Sequence, residues 1–327
     1  MFFVISGFII LYSMHHGRYR YPRHLRTFLL KRLVRLEPPY LIAVVFTLAL
    51  WYASAAVPGF RGLAPEITVT QLLLHVGYLN AFFDYPWLSP VFWSLAIEFQ
   101  FYVCVAVAYP LLAHGSSSVR LAALAVLCAL GFFIPDGRLV FGYMSLFALG
   151  IVTFWRFAGL IQGSEYAVLV AVFASMAVIA LGPAIAAAGL AAALAIAFVR
   201  VKRHAAFAYL GAISYSLYLL HVPIGGRIVN LGTRFADSFF MQVVVLLLAI
   251  AASVAGAHFM FKLVERPAQK WSSALRYEPA PALWRAPAID ERAQGSGAMI
   301  GTMEGLAVTT AAARRGRWRT RRRWSKF

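Results

Sequence analysis

The feature that most constrains this chain is a succession of nine apolar runs. They lie at about 2–14, 40–57, 91–113, 121–134, 139–157, 166–181, 184–199, 209–229 and 239–263. A helix needs ~20 mainly apolar residues to cross the hydrocarbon core of a bilayer. Nine such stretches separated by short loops leave no room for a water-soluble core. Composition agrees: 61% of the residues are hydrophobic and 13% charged, against roughly half and a quarter in soluble domains. The expected fold is therefore all-α, a polytopic transmembrane helix bundle. The first run is short for a span. The segment from Thr68 to Phe83 is apolar but interrupted by Gln71, His75 and Asn80, which suits an interfacial or re-entrant helix better than another crossing. The opening residues lack the basic region and small-residue cleavage site of a signal peptide and read as part of a retained span. Cys104 and Cys128 both sit in apolar stretches, where a thiol behaves as a small hydrophobe, and two cysteines make neither a disulfide framework nor a zinc motif.

The net charge of +18 is informative through its placement. Lys and Arg collect in cytoplasmic loops, and Arg18, Arg20, Arg23, Arg26, Lys31, Arg32 and Arg35 follow the first run. Alternation from there puts Pro58–Pro90 outside, Arg120 inside, Asp136 and Arg138 outside, Arg156 inside, and Arg200, Lys202 and Arg203 inside. Arg234 with Asp237 then falls outside and Lys262, Arg266 and Lys270 inside. Every strongly basic loop lands on one side. The chain is expected in the inner (plasma) membrane, multi-pass, with a cytoplasmic C-terminus. Two regions follow: a transmembrane domain over 1–275 and a basic tail over 276–327, Ala/Pro/Gly-rich and then Arg/Trp-rich, expected to be disordered and drawn to anionic membrane lipid rather than to nucleic acid. The same topology sets Met1 on the outer face, so one further span before it would restore a cytoplasmic start.

Ionisable groups inside the hydrocarbon are costly and mark function by default. Glu98, in VFWSLAIEFQFYV, is the clearest; it serves either acid–base chemistry or a packing hydrogen bond to a neighbouring helix. Arg32 and Arg35, three apart, share one helical face. Two guanidinium groups so placed suit a phosphate, although arginines at a membrane edge also simply set topology; Glu37 would neutralise one of them. His221, near the outer end of its run and two residues before Pro223, is either a helix-end hydrogen-bonder or a catalyst. There is no HExxH, no Gly-rich phosphate loop and no G-x-S-x-G elbow, so no metal and no permanently bound cofactor are expected.

Five strings carry a resemblance: FFVISGFII at 2–10, KRLVRLEPPY at 31–40, FWSLAIEFQFY at 92–102, ISYSLYLLHVP at 213–223 and VERP at 264–267. In this order and spacing the chain resembles the membrane-bound acyltransferase 3 family, O-acyltransferases of bacterial envelope sugars and of some secreted metabolites. The resemblance implies ten helices, of which nine are visible, and places an Arg and a His regarded as the catalytic base on the first, which would precede Phe2. It implies that Arg32 and Arg35 handle the phosphates of acyl-CoA as donor substrate, that Glu98 orients or polarises the base, and that Ser6, Gly7 and Phe8 belong to a close-packing string. The implied reaction moves an acyl group, expected to be acetyl, from acyl-CoA to a hydroxyl of a carbohydrate or metabolite acceptor entering near Glu98 and His221. The rival readings are a polytopic transporter of a glycan or lipid-linked sugar, a catalytically inactive truncated paralogue, and a membrane subunit that binds a partner. No half-to-half repeat of the transporter kind is visible.

Overall fold

The computed structural model describes residues 1–57, 66–199 and 204–277. The tail from 278 onward, Arg61 and the Arg200–Arg203 cluster lie outside the described residues, as does nearly all of the expected 276–327 region. By contacts the described residues divide into two units, 1–199 with 213–277, and 204–212. Apart from 205–212 at the start of one helix, the residues discussed below belong to the first.

Among the described residues there are only helices and turns: α1 Phe2–His16, α2 Leu25–Ala55, α3 Val69–Val76, α4 Trp93–Tyr109, α5 Ser117–Phe133, α6 Met144–Phe157, α7 Gly163–Leu181, α8 Pro183–Phe198, α9 Ala205–Leu220, α10 Gly226–Gly232, α11 Phe239–Met260 and α12 Arg266–Ala274. Among the described residues six helical stretches are long and apolar enough to cross a membrane: Leu25–Ala55, Trp93–His114, Val140–Phe157, Gly163–Leu181, Ala205–Gly232 and Phe239–Ala274. Phe2–His16, Ser117–Phe133 and Pro183–Phe198 are apolar but shorter. Together these account for the nine runs, and the fold is the polytopic helical bundle that the hydropathy pattern implies.

Two boundaries differ from the apolar pattern. The second run starts at Tyr40, yet α2 begins at Leu25 and runs through Pro38 and Pro39, so Arg26, Lys31, Arg32 and Arg35 stand on helix rather than loop. Proline removes a backbone donor and crowds the preceding turn; polar partners from other helices gather there, and the Tyr215 hydroxyl donates to the Leu36 carbonyl at 2.9 Å. The second difference is at Thr68–Phe83. Thr68 caps α3 by accepting from the Gln71 N–H at 3.1 Å, and α3 gives way to a 3-10 turn at Asn80–Phe83. Tyr78, between them, packs on Tyr40 with ring centroids 4.8 Å apart. Tyr40 lies fifteen residues before the end of α2, about 22 Å at the helical rise, so this segment re-enters the bundle deeply.

The tightest packing joins α1 to α6. A Cβ on Gly7 would strike the Phe147 carbonyl, and one on Gly150 would strike the Val4 carbonyl. The two helices therefore cross backbone to backbone, as small residues allow in membranes. Ala186, Gly189, Ala192 and Ala193 of α8 are buried in the same group.

Candidate functional site

Glu98 is buried one and a half turns into α4, at 6% exposure. The Ser6 hydroxyl of α1 donates to its Oε1 at 2.6 Å, and the Tyr102 hydroxyl, one turn along α4, stands beside the same carboxylate. The three residues of the Ser6-Gly7-Phe8 string thus have separate tasks. Ser6 holds Glu98, Gly7 admits the α6 backbone, and Phe8 packs on Tyr12 and Phe157 at 5.9 and 5.8 Å.

Arg32 lies against the aromatic side of this group, its guanidinium 5.3 Å from the Phe28 ring and 5.6 Å from the Tyr102 ring, and it donates to the Ser13 hydroxyl at 3.1 Å. Both Arg32 and Arg35 are within electrostatic reach of Glu98. Arg35 is exposed although it neighbours two buried carboxylates, Glu98 and Glu265. Arg35 thus offers an exposed cation beside two buried anions.

Glu265, from the VERP string, is a second buried carboxylate, 2% exposed, that sequence reasoning did not single out. It ends a π-helical turn, Phe261–Glu265, and accepts from the Ser216 hydroxyl at 2.6 Å, from the Ser216 N–H at 3.2 Å and from the Gln269 amide at 2.9 Å. The ISYS string of α9 therefore serves partly to hold it. Tyr215, the residue before Ser216, is the hub: it feels the charges of Glu98, Glu265 and Glu37 together. Glu265 stands between Lys262 and Arg266 in sequence, so isolation in an apolar run does not mark it as it marks Glu98; the VERP string is the signal that carries it.

His221 opens another π-helical turn, His221–Gly225. It is exposed, its Nδ1 donates to the Tyr218 carbonyl at 2.8 Å, and its ring is 5.9 Å from that of Tyr218. Tyr218 stacks on Phe2 at 5.4 Å and its hydroxyl bonds that of Ser94. The structure thus brings Glu98, Arg32 and Arg35 together and sets His221 one aromatic layer away, linked through Tyr218.

At the N-terminal end of α2, Lys31 Nζ donates to the carbonyls of Ser272 and Leu275 at 3.1 and 2.6 Å, fastening the end of α12 beside the arginines. Tyr277 follows, stacked on His24 at 4.8 Å. Burial pushes its phenol above the usual range, while the Arg32 guanidinium holds part of that rise back. Among the described residues no group of three or more His, Cys, Asp or Glu is arranged to hold a metal ion.

These features define a class: a multi-pass membrane protein with a carboxylate–arginine site buried between its helices. The family model described as an acyltransferase domain, that of the acyltransferase 3 group, matches residues 1–260, and the chain belongs to that family of membrane acyltransferases. No curated protein and no solved structure matches it.

Proposed function

We propose that the protein is an O-acyltransferase that takes an acyl group, acetyl in the first instance, from acyl-CoA and delivers it to a hydroxyl of a sugar or similar envelope or secreted acceptor. The observation that carries this reading is the placement of Arg32 and Arg35 on one face of α2 beside the buried Glu98–Ser6 pair. Guanidinium groups suit phosphates in a way that a single charge does not. Arg35, which is exposed, meets the donor's phosphates first, and Arg32, held by Ser13 and two aromatic rings, fixes their position.

In this reading the thioester reaches inward along α4 toward Glu98. The acceptor oxygen attacks the thioester carbonyl, the C–S bond breaks, and CoA leaves as the thiol with the proton that the hydroxyl gave up. Glu98, fixed by Ser6, orients or receives that proton; His221 lies on the acceptor's route through the Tyr218 layer. The donor side corresponds to the basic, cytoplasmic end of the bundle, with the C-terminus on that side and the acceptor arriving from the other.

The test is acyl transfer from [14C]acetyl-CoA by the purified protein in lipid nanodiscs. Glu98→Gln is expected to lower the rate by about a hundredfold or more without loss of CoA binding. An unchanged rate in that variant would remove Glu98 from the chemistry, and flux of the acceptor across the bilayer with no acetyl transfer would favour a transporter instead.

A further inference from the structure

Beside the donor group lies a second set of polar atoms to which the proposed reaction assigns no task. Both carboxylate oxygens of Glu37 are buried with no hydrogen-bond partner, and so is the hydroxyl of Tyr40, three residues further along α2. The Tyr78 hydroxyl is the donor that stands beside Glu37. The Ser89 hydroxyl, at the foot of α4, is buried and unpartnered as well. Buried polar atoms in native proteins are nearly always satisfied, and a carboxylate left without donors in an apolar setting costs far more than a neutral group. The Glu37 carboxylate oxygens and the Tyr40 hydroxyl, about one turn apart on α2, call for a ligand that brings hydroxyl donors.

The wall beside them is aromatic. The Tyr40 ring lies 4.8 Å from Tyr78, 5.1 Å from Phe92 and 6.5 Å from His75, and Trp87 lies 5.6 Å from His75. Tyr78 also stacks on Phe99 at 5.8 Å, next in sequence to Glu98, and Tyr215 feels both Glu37 and Glu98. The wall therefore adjoins the Glu98 group on the side away from Arg32.

The loop that brings Tyr78 to it is strained. Tyr78 and Asp84, neither a glycine, both hold φ of 58°, the left-handed region that costs a side chain on the order of 1 kcal/mol, and they bracket the 3-10 turn at 80–83. Strain of this kind persists where the surroundings enforce it and is typical of ligand clamps. The loop is tied down from outside by Arg138, which donates to the Ala81 carbonyl at 3.4 Å and pairs with Asp84 at 3.6 Å. Both are exposed contacts of the kind that contributes little and opens readily.

We propose that Glu37, Tyr40 and Tyr78 form the acceptor subsite: a place for a pyranose ring, whose neighbouring hydroxyls donate to the Glu37 carboxylate and bond Tyr40, and whose C–H face lies on the aromatic wall. This rests on the acyl-transfer reading and adds to it where the acceptor sits and which groups select it. A carboxylate that accepts two hydroxyls beside flat aromatic faces matches a polyol ring better than a lipid chain, which offers no donors, or a phosphate, which the carboxylate repels. The loop at 77–85 supplies Tyr78 to the subsite.

The experiment uses the full chain in nanodiscs and reads its thermal unfolding by tryptophan fluorescence. The probes are methyl glycosides of glucose, galactose, mannose, rhamnose and N-acetylglucosamine up to about 100 mM, the range in which weak single-ring binding is seen. At least one is expected to raise the melting temperature in a saturable manner. Glu37→Gln is expected to weaken that binding about tenfold and Tyr40→Phe severalfold, by the loss of a charged and a neutral hydrogen bond, while CoA binding stays within about twofold in both. If no glycoside shifts the wild-type protein, or if the shift survives in both variants, the unpartnered atoms are satisfied by water alone and the subsite is refuted. Loss of CoA binding by the wild type would overturn the donor reading instead, and the glycoside titration decides the subsite independently of it. Should Glu37→Gln fail to fold, Tyr40→Phe and Tyr78→Phe carry the same comparison.

Discussion

The two sides of the bundle are built on opposite rules. Where α1 crosses α6, glycines bring backbones into contact, the surroundings are Ala, Leu and Phe, and Thr153 and Trp155 on α6 find carbonyl partners at 2.7 and 2.8 Å. Where α2 meets α4, α9 and the turn after α11, three carboxylates are drawn in: Glu98 and Glu265 bonded by serines, and Glu37 half-buried with the Tyr78 hydroxyl beside it. The first side is a close-packed frame that holds no carboxylate, although the Ser145 hydroxyl of α6 is buried there without a partner. The second carries buried charge and several side chains whose partners are missing. A membrane protein can keep such groups only where a frame holds them apart and something in function uses them. Ser6 and Gly7, adjacent on α1, join the sides: one bonds Glu98 and the other meets α6.

The comparison breaks most visibly at the frame. Gly150→Leu is expected to abolish the folded protein, since its side chain has only backbone to displace and overpacking of that kind costs ~3 kcal/mol or more; monodisperse protein on size-exclusion chromatography would contradict the account. On the polar side the expected pattern is reversed. Glu98→Gln should cost activity and leave thermal stability nearly unchanged, because an amide still accepts from Ser6, and a large fall in melting temperature would mean that the carboxylate is structural. Lys31→Met, which strips two bonds from the end of α12, should lower stability by about 1–2 kcal/mol and loosen the Tyr277 segment, read as faster proteolysis there. The smallest effect concerns His75. Burial holds its pKa below the usual histidine value, with the Gln71 carbonyl opposing part of the shift. The unfolded chain then binds a proton more readily than the folded one, so stability is full above the unfolded value of about 6.5 and is lost as pH falls below it. His75→Gln should flatten that dependence in melting curves taken on either side of it.

Much of the frame is legible in the sequence, because hydropathy reports transfer into lipid one segment at a time. Nine runs become nine apolar helical stretches, and the polar interruptions at Gln71, His75 and Asn80 mark a segment that does not cross. Glu98 is legible for the same reason, as an acid with no local partner. Its partner is not: Ser6 lies ninety-two residues away, and only packing of α1 on α4 joins them. Nor does any local pattern show that Ser216 and Gln269 hold Glu265, that Tyr215 gathers three carboxylates, or that the polar start of α2 is helix through two prolines. Glu37 stands next to the arginines in sequence and invites the idea that it neutralises one of them; the structure turns it instead toward Tyr40 and Tyr78. Long-range pairing of side chains is fixed by tertiary packing, which periodicity does not encode.

The central claim is that the paired arginines of α2 hold the donor beside Glu98. Its most direct test is equilibrium binding of CoA to the purified protein in nanodiscs, wild type against the Arg32→Ala/Arg35→Ala double variant. Each charged hydrogen bond lost should cost about tenfold or more in affinity, so the account expects the double variant to bind at least about a hundredfold more weakly, with the wild-type melting temperature largely retained. Equal affinity in the two proteins would contradict it.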